Sequence, residues 1–334
     1  MKLLDPFSVR GVTTRNRLFL APVDGVFDRS FRALAIRHGV GLTCSEIIPA
    51  RALLQKNAKA LLWLKRAEGE RPFQAQLSEH DPEVLAICAE KIAAAGLAEL
   101  IDLNMGCPSR TVVNSGNGAA LMRSPDLVRR IVSSVRKAVE LPLSVKIRAG
   151  WDDSNRNAVE IARIAEGEGA DFITVHGRTK AQGFSGKADW SVIADVVNAV
   201  KIPVIGNGDV VSSTSAQGMM AESGCAGVMI ARGAFGDPWV IDRILQENDG
   251  IFPSLEELEK EILLHFSLMC EALGDDAGVK RMRSHIAWYV KGLRHVAAFR
   301  REIVRIPARP DVEARIRRYF EELRSGTFEP ESSE

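Results

Sequence analysis

Short apolar runs recur through the first 240 residues, each followed by a stretch with helical spacing, and this alternation restricts the fold more than any other property of the chain. The candidate strands are Leu18–Val23, Leu42–Ile47, Phe73–Leu77, Leu100–Leu103, Leu143–Ile147, Phe172–Val175, Pro203–Ile205 and Gly227–Ile230. Between them, segments such as Asp81–Ala95, Pro125–Val139 and Asn157–Glu168 carry apolar residues at helical intervals and open on Asp, Pro or Asn, which favour helix starts. Eight strand-helix units in about 240 residues are what a (β/α)8 barrel requires. A doubly wound sheet uses fewer strands and carries GxGxxG. Here Gly206-Asn207-Gly208 runs into Asp209-Val210-Val211, so the third glycine is missing. The expected architecture is α/β: a TIM barrel over residues 1–240, a small helical domain over 241–325 and a flexible tail over 326–334.

Chemistry in such a barrel sits past the carboxyl ends of the strands. Those ends supply, in order, Ala21-Pro22, Glu46, Gln76, Asn104 with Cys107, Lys146 with Arg148, His176 with Arg178, Asn207-Gly208-Asp209 and Arg232-Gly233. The fourth is unusual, since "IDLNMGCPS" stops a strand at Asn104 and then sets a thiol between Gly106 and Pro108. Most free cysteines are buried core residues, and Cys44, Cys88, Cys225 and Cys270 are expected to be so. Cys107, just past a strand end, is a candidate general acid, because an ordinary thiol with a pKa of about 8.5 is mostly protonated at neutral pH. Lys146, near the end of the run "LSVKI", points to the mouth, and His176 with Arg178 and Lys180 beside it fits an anion-facing loop. Small residues at the last two strand ends let backbone N–H groups approach an anion, where barrels often bind phosphate. That favours a phosphorylated cofactor, although Gly206-Asn207-Gly208 in isolation reads equally as a plain turn. The Ser/Asn/Gly-rich stretch Ser109 to Gly118 is expected to be a mobile loop.

Composition sets outer limits. The 334 residues are 46% hydrophobic and 26% charged, enough for one large core and an appendage. No run approaches the roughly 18 uninterrupted apolar residues of a membrane helix, and the first residues lack a long apolar segment, so a cytoplasmic protein without membrane contact is expected. The five cysteines are scattered without a CxxC pair, which argues against disulfides and metal centres. Net charge is +1, but it is distributed unevenly: Lys280 to Arg324 holds thirteen Lys/Arg against five Asp/Glu, whereas Ile251 to Asp276 holds seven acidic residues and one Lys. A basic run of this kind suits RNA phosphates; taken alone it also suits a solvated helical surface.

The motifs together resemble the tRNA-dihydrouridine synthases, and most of all the bacterial B-type branch. The matching stretches are "APVDGVFDRSFRAL", "IDLNMGCPS" with "SGNGAALMRSPDLV", "VKIRAGWDD", "ITVHGRTKAQGFSGKADW", "IPVIGNGDV" and "GVMIARGAFGDPW", in family order over residues 21 to 239, with "RMRSHIAWY" in the tail. The wording around "CPSRTVVNSGNG" is shared with the C-type. The resemblance implies FMN in the barrel mouth, NADPH as reductant and tRNA held between barrel and helical domain. It puts Pro22, Val23 and Asp24 near the flavin, Gln76 on its isoalloxazine ring, Lys146 at its pyrimidine edge and His176 also in the flavin site. Asn207, Gly208 and Asp209, with Ala231 and Arg232, correspond to the phosphate turns; Cys107 corresponds to the catalytic acid and Asn104 to the contact with the target base. Arg178, Arg281 and Arg283 are further expected substrate contacts. Three positions depart from the family: Val23 stands where Met is usual, Glu79 where Gly is common, and Ala231 where a glycine precedes the arginine.

The implied reaction explains the thiol. Uracil's C5=C6 bond is conjugated to the C4 carbonyl, so hydride arriving at C6 leaves charge that needs a proton at C5, and Cys107 can deliver it. The uridine must leave its stack to react. Two other functions fit parts of the sequence: an FMN barrel reducing a free pyrimidine or enone, and a non-catalytic RNA-binding barrel. The basic tail favours RNA over a free metabolite, and the set Asn104, Cys107, Lys146 and His176 favours an enzyme over a binding module. The chain is expected to act as a monomer with no metal.

Overall fold

Eight parallel strands form the wall of a barrel in the computed structural model, which describes residues 2–327. They are β1 (Leu18–Leu20), β2 (Thr43–Cys44), β3 (Phe73–Ser78), β4 (Leu100–Asn104), β5 (Leu143–Arg148), β6 (Phe172–His176), β7 (Val204–Asn207) and β8 (Gly227–Ile230). From β2 to β8 each strand pairs with the next in sequence, and β8 pairs with β1. The seam between β1 and β2 is closed where the Leu20 N–H donates to the Leu42 carbonyl at 2.9 Å. Residues 328–334, most of the tail expected to be flexible, lie outside the described residues.

The second strand departs from the expected Leu42–Ile47. It breaks after Cys44, and a further piece, Ile48–Pro49, pairs alongside β3. The Ser45 hydroxyl accepts the Gln76 N–H at 2.9 Å and donates to the Glu46 carbonyl at 2.8 Å, so a side chain replaces the regular ladder there. A hairpin of Phe7–Val9 and Val12–Thr14 precedes the barrel. Its Phe7 ring sits edge-on to Phe19 and Phe172, 5.4 and 5.5 Å between centroids, and fills the space at those strands.

Helices alternate with the strands because their sequences supply both caps and an apolar stripe. The helix Pro82–Ala94 starts where Asp81 accepts the Glu83 and Val84 N–H groups, and it buries Leu85, Cys88, Ala89 and Ile92. The helix Pro125–Ala138 buries Val128, Ile131, Val132 and Val135 in the same pattern. The helix Val240–Leu245 still packs into the barrel core, and a second apolar core begins at Leu258. That core joins helices Leu255–Leu273, Asp275–Tyr289, Val296–Ile303 and Arg309–Ser325.

The helix Arg29–Arg37 packs on Leu255–Leu273, and buried His265 and His285 lie against Phe31. His38 is wedged between Asp242 and Glu261. Burial disfavours its charge, but the bonds to the two carboxylates outweigh burial and raise its pKa to about 9. A raised folded-state pKa contributes stability that is full below the unfolded value of about 6.5 and is lost as pH rises through about 9. Urea unfolding between pH 6 and 10 should therefore show a fall in stability that His38→Gln lacks; parallel curves for the two proteins would refute the charged clamp.

Candidate active site

The register of the parallel ladder brings the polar strand ends to one level. Asn104 pairs with Lys146, Arg148 with His176, His176 with Asn207, and Asn207 with Met229. A cavity of about 620 Å³ opens above them, lined also by Pro22, Val23, Asp24, Cys107, Gly208, Asp209, Ala231 and Arg232. Its size is that of a cofactor or substrate pocket.

Cys107 is fixed by a buried polar ladder that starts inside the barrel. Gln74 Nε2 donates to the Ser144 hydroxyl at 2.8 Å, and Ser144 donates to Asp102. Gln76 Nε2 donates to the other Asp102 oxygen at 2.6 Å, and Asn104 Nδ2 donates to Gln76 Oε1 at 2.7 Å. Asn104 Oδ1 then accepts the Cys107 N–H at 3.0 Å. Burial pushes the Asp102 carboxyl up to about 6, against the opposing bonds from Ser144 and Gln76 and the Lys146 charge. On the other side, Arg148 Nε donates to the Gly106 carbonyl at 2.8 Å, and its Nη1 donates to the Thr179 and Gly183 carbonyls at 2.9 Å. Burial raises the Cys107 thiol above its ordinary pKa, with the Ser109 N–H, Arg148 and Lys146 opposing, so the thiol keeps its proton at neutral pH.

The opposite end of the strand row is cationic. Lys146 Nζ donates to Asn207 Oδ1 at 3.0 Å, and Asn207 Nδ2 donates to the Met229 carbonyl at 2.8 Å. Burial, then Arg148, lower the Lys146 pKa to about 8. His176 is held neutral by burial and by the charges of Lys146, Arg148, Arg178 and Arg232. Its Nδ1 accepts the Arg178 N–H at 3.1 Å, which assigns the ring proton to Nε2. Asp209 accepts both Arg178 Nη atoms, at 2.8 and 2.7 Å, as well as Arg232 Nη2 at 3.1 Å.

Most residues singled out in the sequence meet in this cavity, but four do not meet it as expected. Gln76 is wholly buried in the ladder beneath Asn104 and does not line the cavity. Arg178 is 2% exposed and spent on Asp209 and the Ser185 carbonyl, so it orders the turn that carries Asp209 and has no surface for substrate. Arg281 lies outside this cavity, with Nη1 on the Gly25 carbonyl at 3.1 Å. Arg283 is turned into the helical domain, with Nη2 on the Ile306 carbonyl at 3.3 Å and Nε buried without a partner. The stretch expected to be a mobile loop carries the short helix Arg110–Asn114 and leads into a 3-10 turn at Gly118–Arg123, its return fixed where the Ala119 N–H donates to the Cys107 carbonyl at 3.0 Å.

Sequence reasoning placed Arg148 at a strand end without giving it a role, and missed Phe184. Arg148 stands two residues beyond Lys146 on one strand, hence on the same face, a usable signal. Phe184 sits 57% exposed between the guanidinium groups of Arg148 and Arg232, at 5.6 and 4.9 Å from its ring centroid; an aromatic between glycines on a mouth loop was the available hint. The other four cysteines are buried, as expected. Among the described residues no group of His, Cys, Asp and Glu is arranged to hold a metal ion, and no helix is long and apolar enough to cross a membrane.

The dihydrouridine synthase family model matches residues 19–323. A probable tRNA-dihydrouridine synthase of Rickettsia bellii is 39% identical over 297 residues, 87% of this chain and 91% of that protein. The tRNA-dihydrouridine synthase B of Pseudomonas aeruginosa is 37% identical over 314 residues, 93% of this chain and 94% of the other. Among solved structures, a 2-naphthoyl-CoA reductase in complex with 2-naphthoyl-CoA superposes with a TM-score of 0.58 at 14% identity, over 74% of this chain and 52% of that one. That likeness concerns the barrel fold alone.

The thiol geometry gives a direct measurement. Alkylation of Cys107 by iodoacetamide, read by peptide mass spectrometry, should keep accelerating through pH 8.5, the ordinary thiol range. Arg148→Met removes a charge that favours the thiolate and should slow labelling at any fixed pH. A rate plateau below pH 8 in the wild type would contradict a thiol held protonated.

Proposed function

The chain belongs to the dihydrouridine synthase family, and from that membership and the cavity's chemistry we propose that it reduces uridines of tRNA to 5,6-dihydrouridine as a flavin enzyme with Cys107 as proton donor. The observation that carries the reading is the placement of Cys107, tied by its own backbone to Asn104 and sharing one cavity with Lys146, Arg148 and Arg232.

The residues present fit FMN. Cationic Arg232 and the turn Asn207-Gly208-Asp209 suit its phosphate, with Ala231 beside them. Gly208 has φ +127, and a Cβ there would lie 2.6 Å from the Ala188 Cβ, so only glycine forms this cradle. Pro22, Val23 and Met229 give apolar walls for a flat ring, with Asp24 at the rim, and Lys146 and neutral His176 give donors for its polar edge. When bound, FMN would supply the hydride for C6 of the uracil, with NADPH as the proposed reductant.

The chain's own groups do the rest. Cys107 Sγ–H gives its proton to C5, and Arg148 holds the preceding Gly106 carbonyl so that the thiol stays at one place. Asn104 spends one N–H on Gln76 and keeps the other for a uracil oxygen. Lys146, mostly charged at neutral pH, stabilises negative charge formed in the cavity. With no dinucleotide fingerprint in the chain, NADPH is proposed to enter the same cavity before RNA does, which makes ping-pong kinetics the expectation. The exposed Lys280, Lys291 and Arg294 of the tail suit RNA phosphates; Arg281 and Arg283, tied to backbone carbonyls, contribute there chiefly by shaping the surface. The proposed working state is a monomer in the cytoplasm, where the tRNA substrate is found.

Purified protein should be yellow with noncovalent FMN, and Cys107→Ala should keep both the flavin and its reduction by NADPH. In single-turnover oxidation of the prereduced enzyme by tRNA, that variant should be slower by roughly 10²–10⁴-fold. Equal rates would remove Cys107 as the acid, and a colourless protein that takes up no FMN would remove the flavin.

A further inference from the structure

A second cavity, about 590 Å³, lies where the barrel meets the helix Asp275–Tyr289. It stands back to back with the first: Asp24 and Ile47 line one, while their chain neighbours Gly25 and Glu46 line the other. The partition is clamped from both sides. The Gly25 N–H donates to Glu46 Oε1 at 2.7 Å, and the Gly25 carbonyl accepts Arg281 Nη1 at 3.1 Å. Gly25 has φ +74, and a Cβ on it would lie 2.8 Å from Arg281 Nη1, so the arginine docks because no side chain is there.

The lining combines three chemistries. Exposed Arg29, Lys59 and Lys280 are cations suited to phosphate. The half-buried Trp63 ring, with Lys59 Nζ 4.9 Å from its centroid, offers a flat face. Asp28 and Glu46 are buried carboxyl groups on the wall, and Asp28 Oδ2 has no hydrogen-bond partner, an acceptor suited to a hydroxyl or amino group. Burial pushes Glu46 up to about 7, so near neutrality it both donates and accepts. Phosphate, hydroxyls and a planar base are together the parts of a nucleotide.

We propose that this cavity is a second nucleotide subsite, taking the nucleotide next to the reduced uridine, with its phosphate at Lys59 and Lys280 and its base against Trp63. The proposal rests on the reading of the first cavity as a site for uridine in RNA. A uridine turned out of its stack leaves its neighbour unstacked as well, and the shared Asp24-Gly25 partition puts this cavity directly beside the reaction.

The test measures steady-state tRNA reduction by wild type, the Lys59→Glu/Lys280→Glu double variant, Trp63→Leu and Trp63→Phe. Both lysines are exposed, so the double variant keeps its fold, which thermal unfolding checks. KM for tRNA should rise roughly 5- to 100-fold in the double variant and in Trp63→Leu, with a smaller change in kcat. The double variant should also lose part of the salt dependence, and Trp63→Phe should recover most of the loss. Unchanged KM for tRNA in an active enzyme overturns the subsite alone. A raised KM for NADPH in its place assigns the cavity to the dinucleotide and also overturns it. Wild type that forms no dihydrouridine overturns the reaction and the subsite together.

Discussion

Asp102 is the constraint around which the barrel mouth is built. An ionised carboxyl inside a barrel is costly to desolvate and must be supplied with donors. Ser144 and Gln76 supply them, and in doing so commit Gln76 to Asn104 and Asn104 to the backbone of Cys107. The position of one mouth thiol is thereby set by a requirement of the core several residues below it. A change at Asp102 or Gln76 would loosen the thiol without touching any ligand, because the ladder is satisfied only when all its members are present.

Electrostatics divide the cavity into two ends. Burial first, then the surrounding cations Lys146, Arg148, Arg178 and Arg232, keep the His176 imidazole neutral and leave it as a hydrogen-bond donor. Arg178 and Arg232 are balanced by Asp209, so the turn that carries Gly208 is rigid before anything binds. Arg148 serves both ends: its guanidinium holds the Gly106 carbonyl beside the thiol and the Thr179 and Gly183 carbonyls of the loop that carries Phe184. Donors fixed in this way need little reorganisation when charge develops on a bound group.

The helical domain is more than a basic appendage. It shares buried aromatic and histidine contacts with the barrel, among them Phe31 with His285 and Phe235 with Trp288, whose rings lie 4.9 Å apart in the latter pair. Through Arg281 it also holds Gly25, whose neighbour Asp24 lines the mouth cavity. A basic residue in the tail therefore acts on the barrel mouth by shaping a loop. This is a different role from neutralising phosphate, and it follows from a backbone carbonyl within reach.

The sequence by itself determined the barrel, because eight apolar runs with intervening amphipathic helices leave few other ways to bury that surface, and strand ends in a barrel converge by construction. Asn104, Cys107, Lys146, His176 and Asn207 could be read as neighbours for that reason. The sequence did not determine which polar strand-end residues face the cavity and which are consumed beneath it. Gln76 and Arg178 look like site residues in the chain, yet both are buried with their donors spent. Nor could it reveal that Ser45 interrupts the second strand, or that Arg281 reaches Gly25 across 256 positions of sequence. Those outcomes depend on hydrogen-bond partners brought close only by folding, and a side chain's partner, unlike its periodicity, is a property of tertiary structure.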